Sequence, residues 1–367
     1  MIKSCYIHIP FCSTICSYCD FCKLFLKDKW IDEYLDALEK ELKEIYQGEI
    51  LDTIYIGGGT PSSLSLSQLE RLFQILQNLK KSKNVEYTIE GNFESTTEEK
   101  LKIYQKYGIN RLSFGLESIH SNNLDFLERK TDKKKVEEVI KTARKLGFSN
   151  INLDLMYALP TEDLKILKED IQYVLSLQVE HISTYSLIIE EHTKLGIEKT
   201  RPIEEDLDYK MYQTICKTLK KNHYEHYEIS NFAKQGYESK HNKTYWNNEF
   251  YYGFGLGACS YIDKKRIENT KSFSQYVKGY YQKEIIPISK EEKIEYEVML
   301  NLRTKKGISL NLFYQKYDRR FEDCFEYDFL LQEKLLILEE ERLFIPEDKW
   351  YISNEIIVKL LEGKKYE

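Results

Sequence analysis

The chain has 367 residues, with 54 Lys and Arg against 60 Asp and Glu, a formal net charge of −6 and a pI near 5.8. An acidic balance without a basic tract argues against nucleic acid as the main partner, and no apolar run reaches the roughly 18 residues of an integral membrane segment. Of eight cysteines, five lie within the first 22 residues, which excludes an evenly stapled disulfide scaffold and predicts a reducing, cytoplasmic setting.

The first apolar run leads straight into cysteines, unlike a signal peptide, so any membrane contact is expected through partners. Short apolar or β-branched runs at 5–9, 53–56, 87–90, 111–114, 151–155 and 181–185 predict strands. Between them, 30–46, 67–79, 97–107, 132–146 and 163–175 have helical period, the first with Tyr34, Leu35, Leu38, Leu42 and Ile45 on one face. This alternation reads as βα units around a parallel sheet. The near-continuous apolar strands predict a sheet buried on both faces. Six units fall short of the eight of a closed barrel. The expected fold is therefore α/β: an open, partial (β/α)6 TIM-like barrel over 1–230, with its site at the strand C-terminal ends. Residues 231–288, rich in Gly, Asn and aromatics, read as a connector crossing the barrel mouth. Residues 289–367 predict a small, mainly helical domain with a wing: helices at 291–302 and 329–341, and a hairpin of 343–345 with 350–352.

Cys12, Cys16 and Cys19 stand at spacing C-x3-C-x2-C, directly after the first strand. Three thiolates can hold three corners of a [4Fe-4S] cluster and leave the fourth iron open to a small molecule. A zinc site would need a second Cys or His pair, and none follows at suitable spacing. A ferredoxin-type reading through Cys22 would need a further Cys where Leu26 stands. Cys22 either closes the cluster, which would make an electron carrier, or sits beyond the loop as a packed thiol. After the second strand, Gly57, Gly58 and Gly59 precede Thr60 and Pro61; glycines let backbone groups meet a ligand with no Cβ in the way. Glu90 ends the third strand, where a carboxylate can accept from an ammonium or hydroxyl. Asp154 lies inside an apolar strand and must find a partner.

The cysteine spacing, with Tyr18 before the last thiol, resembles the radical S-adenosylmethionine (SAM) superfamily. The run from Tyr6 to Cys12 is similar to its oxygen-independent coproporphyrinogen III oxidase branch. The resemblance implies that Cys12, Cys16 and Cys19 carry a [4Fe-4S] cluster whose open iron is chelated by SAM. It implies that Tyr6, Tyr18, Gly57, Gly58, Gly59, Thr60, Glu90, Glu117, Arg129 and Asp154 contact SAM. The chain departs from the family pattern at Phe93, where Pro is expected, at Glu117, where Gln is expected, and at Thr131, where His is expected.

Two features divide the branch. Phe21 stands where the catalytic oxidases carry a fourth Cys, and His241-Asn242-Lys243-Thr244-Tyr245-Trp246 matches the H-N-x-x-Y-W motif of HemW-type haem chaperones. That resemblance implies haem contact by His241, Asn242, Tyr245 and Trp246, since imidazole is a standard haem ligand and large aromatics suit a porphyrin face. It also implies haem transfer to acceptor haemoproteins among the respiratory enzymes, and cluster-dependent homodimerisation. A coproporphyrinogen III dehydrogenase shares nearly all the N-terminal motifs and is the alternative, so enzymatic turnover stays open. Cys259 replaces a His that the family often carries.

Overall fold

The computed structural model describes residues 1–366. Six βα units appear in the expected order: β1 (Ser4–Ile9), α1 (Asp28–Ile45), β2 (Leu51–Gly58), α2 (Leu66–Leu76), β3 (Lys81–Gly91), α3 (Glu98–Lys106), β4 (Arg111–Glu117), α4 (Lys133–Lys145), β5 (Ile151–Tyr157), α5 (Leu164–Ser176), β6 (His181–Ser186) and α6 (Glu205–Lys221). Local chemistry sets the helix starts. Ser65 and Gln68 form a capping box on α2, and Thr97, Asp132 and Asp163 cap α3, α4 and α5. The chain continues through β7 (Glu225–Glu228), β8 (Asn231–Ala233), α7 (Lys240–Trp246), β9 (Tyr251–Phe254), β10 (Cys259–Ile262), β11 (Lys265–Asn269) and β12 (Gln282–Pro287).

All these strands join one twelve-stranded sheet in the order β12-β11-β10-β9-β1-β2-β3-β4-β5-β6-β8-β7. β1 to β6 are parallel, and β9 adds a seventh parallel strand beside β1, pairing Tyr251 to Phe254 with Ser4 to Ile7. The remaining pairs are antiparallel. The sheet thus stays open and carries antiparallel edges on both sides.

The strands are not continuously apolar, as the sequence suggested. They alternate, with period two. Cys5, Ile7, Ile54, Ile56, Tyr87, Ile89, Leu112, Phe114, Leu153 and Leu155 pack in the core with the surrounding helices. The intervening residues are polar and meet one another inside the barrel. Asn152 Nδ2 donates to Ser113 Oγ at 2.8 Å, Asn152 Oδ1 meets His181 Nδ1 at 2.6 Å, and Tyr55 OH donates to Glu90 at 2.6 Å. Both faces are buried, but the inner one is a polar lumen.

The connector does not cross the mouth. After β8 it passes beneath the barrel, and α7 closes the end where the strands begin. Thr244 bonds Ser4 at 2.7 Å and His241 bonds Thr53 at 2.8 Å, each partner near the start of its strand. The chain then climbs as β9. Phe232, Tyr252, Phe254 and Tyr276 of this segment belong to the barrel's own apolar core.

A second core gathers Ile294, Val298, Phe313, Phe321, Leu343, Trp350 and Leu360 from α8 (Lys290–Asn301) onward. This part is mainly helical, but two expectations fail. The helix at 329–341 stops at Gln332, and Ile337–Glu339 instead pairs with Arg342–Phe344 in a hairpin. Glu340 and Glu341 turn it, both at positive φ (47° and 61°), where Asn and Gly are usual. Residues 350–352 lie in a 3-10 helix, Glu347–Ile352, anchored by Trp350 Nε1 donating to Ile345 O at 2.9 Å.

Buried Glu41 of α1 clasps the β9–β11 extension onto the barrel. It accepts from Gly255 N–H at 2.9 Å, Asn269 Nδ2 at 2.5 Å and Tyr276 OH at 2.6 Å. Glu41→Ala strands three buried donors and is expected to cost about 3 kcal/mol in urea unfolding; a loss below about 1 kcal/mol would mean that water replaces the carboxylate.

Candidate functional site

The cysteine loop leaves β1 at the strand's C-terminal end. Phe11–Cys12 pairs in parallel with Leu24–Phe25 and closes the loop at its base. Ser17 staples the loop's far side: its N–H donates to Leu127 O at 3.2 Å, its hydroxyl to Phe126 O at 2.8 Å, and its carbonyl takes Leu195 N–H at 3.2 Å. Tyr18 packs among Leu127, Met156, Leu159, Leu187 and Leu195. Cys12 is buried, Cys16 and Cys19 are half-buried, and all three thiols are free.

Burial pushes the Cys12 thiol up to about 11 and raises that of Cys16, and the neighbouring thiols add to the rise. Yet among the described residues no three metal-ligating side chains converge on a single ion. A polynuclear cluster asks for three separate corners rather than one shared point. Two donors stand ready for thiolate charge, Thr60 Oγ1 at 3.7 Å from Cys12 Sγ and Arg129 Nη1 at 3.9 Å from Cys16 Sγ. This donor set fits a cluster. Cys22 lies elsewhere. Its carbonyl holds His8 Nε2 at 2.7 Å, and its thiol packs on Gly257, where a Cβ would come within 3.1 Å of the sulfur.

The glycine triplet is explained one residue at a time. A Cβ on Gly57 would stand 2.7 Å from a Glu90 carboxylate oxygen, one on Gly58 2.4 Å from His8 Cε1, and one on Gly59 2.9 Å from Cys12 Sγ. Gly58 also sits at φ 112°, open to glycine alone. Gly59 N–H donates to Ile9 O and Thr60 N–H to Phe11 O, each at 2.8 Å, locking this loop to the cysteine loop.

Glu90 looks into the upper lumen beside this loop. Burial pushes its carboxyl up to about 7, against the pull of the Tyr55 and Gly58 hydrogen bonds. Burial likewise raises Asp154, which accepts from Asn152 Nδ2 at 2.8 Å. Glu117 closes β4 at φ 62°, a left-handed conformation strained for Glu, and its carboxyl lies 3.5 Å from Arg129 Nη2. Gly115 makes room for that pair, and its carbonyl accepts from Arg129 Nη2 at 2.9 Å. Tyr6 lies one layer lower and bonds His8 Nδ1 at 2.9 Å. The mouth therefore gathers the three thiols, the glycine loop, an acidic trio and one guanidinium: a cradle for a ligand with an ammonium, a carboxylate and hydroxyls.

His241, Asn242, Tyr245 and Trp246 are not part of that mouth. They sit on the floor helix α7, at the other end of the lumen. His241 is 2% exposed, with Nδ1 on Thr53 Oγ1 at 2.8 Å, Nε2 on Tyr245 OH at 2.8 Å, and its backbone N–H donating to Glu86 at 2.9 Å. Both ring nitrogens are taken, so the imidazole has no free lone pair for iron. Trp246, partly buried, lines a cleft of about 730 Å³ between α7 and the C-terminal part, with Glu225, Glu228, Glu238, Glu249 and Glu297 among its neighbours there. Lys243, Asn301, Lys306, Leu312 and Arg342 share its wall. Sequence reasoning missed Tyr55, His8, Asn152 and His181. Their signal was the polar residue at every second strand position.

Burial pushes the His241 imidazole down to about 3, from an ordinary value of 6.5. The unfolded chain takes up this proton below pH 6.5 and the folded chain does not, so stability is whole above that pH and drains as pH falls toward 3. The slope contribution is at most about 1.4 kcal/mol per pH unit. His241→Gln is expected to lose that share of the acid slope, read as the difference between the two proteins' urea stabilities at neutral and mildly acidic pH.

Comparison with known proteins matches residues 6–174 to the Radical SAM superfamily and residues 288–348 to the HemN C-terminal domain. Two relatives carry the name Heme chaperone HemW. The one from Bacillus subtilis is 40% identical over 97% of this chain and 98% of its own, and the one from Lactococcus lactis is 38% identical over 98% and 97%. The solved structure of coproporphyrinogen III oxidase (HemN) from Escherichia coli, a radical SAM enzyme, superposes with a TM-score of 0.85 over 97% of this chain and 89% of that one. At 21% identity, that likeness is one of fold.

Proposed function

Because this chain belongs to the HemW family of the radical SAM superfamily, we propose that it is a haem chaperone that binds a [4Fe-4S] cluster, SAM and haem and passes haem to acceptor haemoproteins. The observation that carries this reading is its continuous likeness to proteins named as haem chaperones, over 97% of the chain from the cysteine loop through the floor helix to the C-terminal part. Cys12, Cys16 and Cys19 hold the cluster. When bound, the cluster supplies an open iron at which SAM is chelated and one-electron chemistry becomes available.

The chain's own residues do the binding and orienting. Glu90 offers its carboxyl to the SAM ammonium, with Gly57, Gly58, Gly59 and Thr60 alongside. Arg129 offers a guanidinium to the SAM carboxylate, and Asp154 and Glu117 accept from ribose hydroxyls. Arg129 now pairs with Glu117, so SAM binding exchanges one carboxylate partner for another. Tyr18, held in its apolar nest, shields the thiol loop, and Tyr6 backs the cradle through His8.

Haem is assigned to the outer face of the floor helix, at Trp246, and not to an iron bond from His241. The support is geometric: His241 is bonded at both nitrogens inside the barrel, whereas Trp246 lines a cleft whose wall carries both cations and carboxylates. Lys243, Lys305 and Lys316 are paired with Glu238, Glu225 and Glu297, so the acidic side arms of a flat apolar macrocycle fall to Lys306 and Arg342, on the same wall as the indole face.

Anaerobic assay with SAM, a reductant and coproporphyrinogen III is expected to give no protoporphyrinogen, while the haem-loaded protein gives up haem to an apo-haemoprotein. Decarboxylated product would overturn the chaperone reading in favour of the dehydrogenase. In a haemin titration followed at the Soret band, Trp246→Ala is expected to bind about tenfold more weakly. An unchanged affinity would remove the cleft face as the haem site.

A further inference from the structure

A single side chain, Tyr55, links the floor helix to the SAM cradle. Its ring lies against the His241 imidazole, with centroids 5.0 Å apart and planes 27° from parallel. Its hydroxyl donates to Glu90 Oε1 at 2.6 Å. The other Glu90 oxygen takes Gly58 N–H at 2.9 Å. Two donors therefore aim this carboxyl. Gly58 is backbone, fixed by the loop. Tyr55 is a side chain on a lumen-facing strand position, and its direction depends on what it rests upon.

It rests on His241. That imidazole has little freedom, because Thr53 holds one nitrogen and Tyr245 the other, and Glu86 holds the backbone N–H of the same residue. Ser239 caps the helix by accepting from Asn242 N–H at 3.2 Å, which fixes the turn that carries the ring. A ring pinned at both nitrogens on an anchored backbone is a rigid platform. Tyr6 flanks Tyr55 on the neighbouring strand, with ring centroids 6.1 Å apart, and closes the side away from Glu90.

We propose that His241 is a positioning residue for the SAM cradle: through the Tyr55 ring it fixes the Glu90 carboxyl, so that the floor helix sets SAM affinity from beneath. This inference rests on the reading of Glu90 as a SAM contact. It gives the buried half of the floor motif, His241 and Tyr245, a task separate from the haem cleft on the helix's other side. It also explains why an imidazole is used. Its two nitrogens satisfy two buried partners, Thr53 and Tyr245, while its flat face stays free for a ring.

The test uses the full chain with its cluster reconstituted anaerobically, and reads SAM affinity from the SAM-induced change in the EPR spectrum of the reduced cluster. Tyr55→Phe keeps the ring and removes the donor; it is expected to weaken SAM about tenfold, the effect of one lost charge-assisted hydrogen bond. His241→Ala is expected to weaken it to a similar extent, and the double variant no further, because both act through one hydroxyl. His241→Phe restores a flat face beneath Tyr55 and is expected to recover most of the affinity. Losses that add in the double variant, or wild-type affinity in His241→Ala, would overturn the proposal. Should His241→Ala fail to fold, His241→Gln with Tyr55→Phe closes the same cycle and is read the same way. Glu90→Gln separates the two levels. If it leaves SAM binding intact, Glu90 is no SAM contact and the underlying reading fails. If it weakens SAM while Tyr55→Phe does not, only the positioning role fails.

Discussion

Glu86, low on the third barrel strand, accepts from the Ser239 hydroxyl and from the backbone N–H groups of Lys240 and His241. A carboxylate at the bottom of a closed lumen is costly unless it is paired and hydrogen-bonded. The first turn of a helix has free N–H groups and the positive end of a dipole to offer. Each therefore solves the other's problem, and their meeting closes the barrel floor. Thr53, His181, Glu90 and Asp154 lie above it on inward-facing strand positions, where they hydrogen-bond to their neighbours.

The glycine triplet does for the mouth what Glu86 does for the floor. Gly57, Gly58 and Gly59 each leave out a methyl that would strike a different neighbour: Glu90, His8 and Cys12 in turn. The Glu90 carboxyl, the histidine that steadies the thiol loop and the Cys12 thiol are thus packed around one short stretch of backbone. Thiol and acid are held to one another by sterics, not by a flexible tether. That closeness is what a cofactor touching both must have.

The six barrel strands and the helices between them were legible because each is a short run or an amphipathic segment of ordinary length, capped by ordinary residues such as Thr97, Asp132 and Asp163. The cysteine spacing and the glycine loop were legible because their chemistry is local. What depended on distant partners was not. The lumen's polarity was hidden because Ser113, Asn152, His181 and Tyr227 become intelligible only once the barrel brings them within hydrogen-bond reach. The floor helix reads from sequence as a haem ligand, since nothing local says that Thr53 and Tyr245 already occupy both nitrogens of His241. The C-terminal hairpin was expected between 343–345 and 350–352 rather than between 337–339 and 342–344, because Glu340 and Glu341 turn it with residues that give no turn signal.

The pairing of β9 with β1 has a consequence for how the chain is made. Phe254 lies opposite Ile7 across almost 250 residues of sequence, so one flank of the first strand stays bare until most of the chain has left the ribosome. A bare strand flank is a template for mispairing, and contacts this distant in sequence form late. The cysteine loop hangs from that same strand. Its other flank, β2, is available early and brings the glycine triplet with it. The thiols and Gly59 can therefore be in register while the floor is still missing. The floor is completed only when α7 and β9 arrive. The thiol loop at the top and the closure at the bottom are thus built by segments far apart in the sequence.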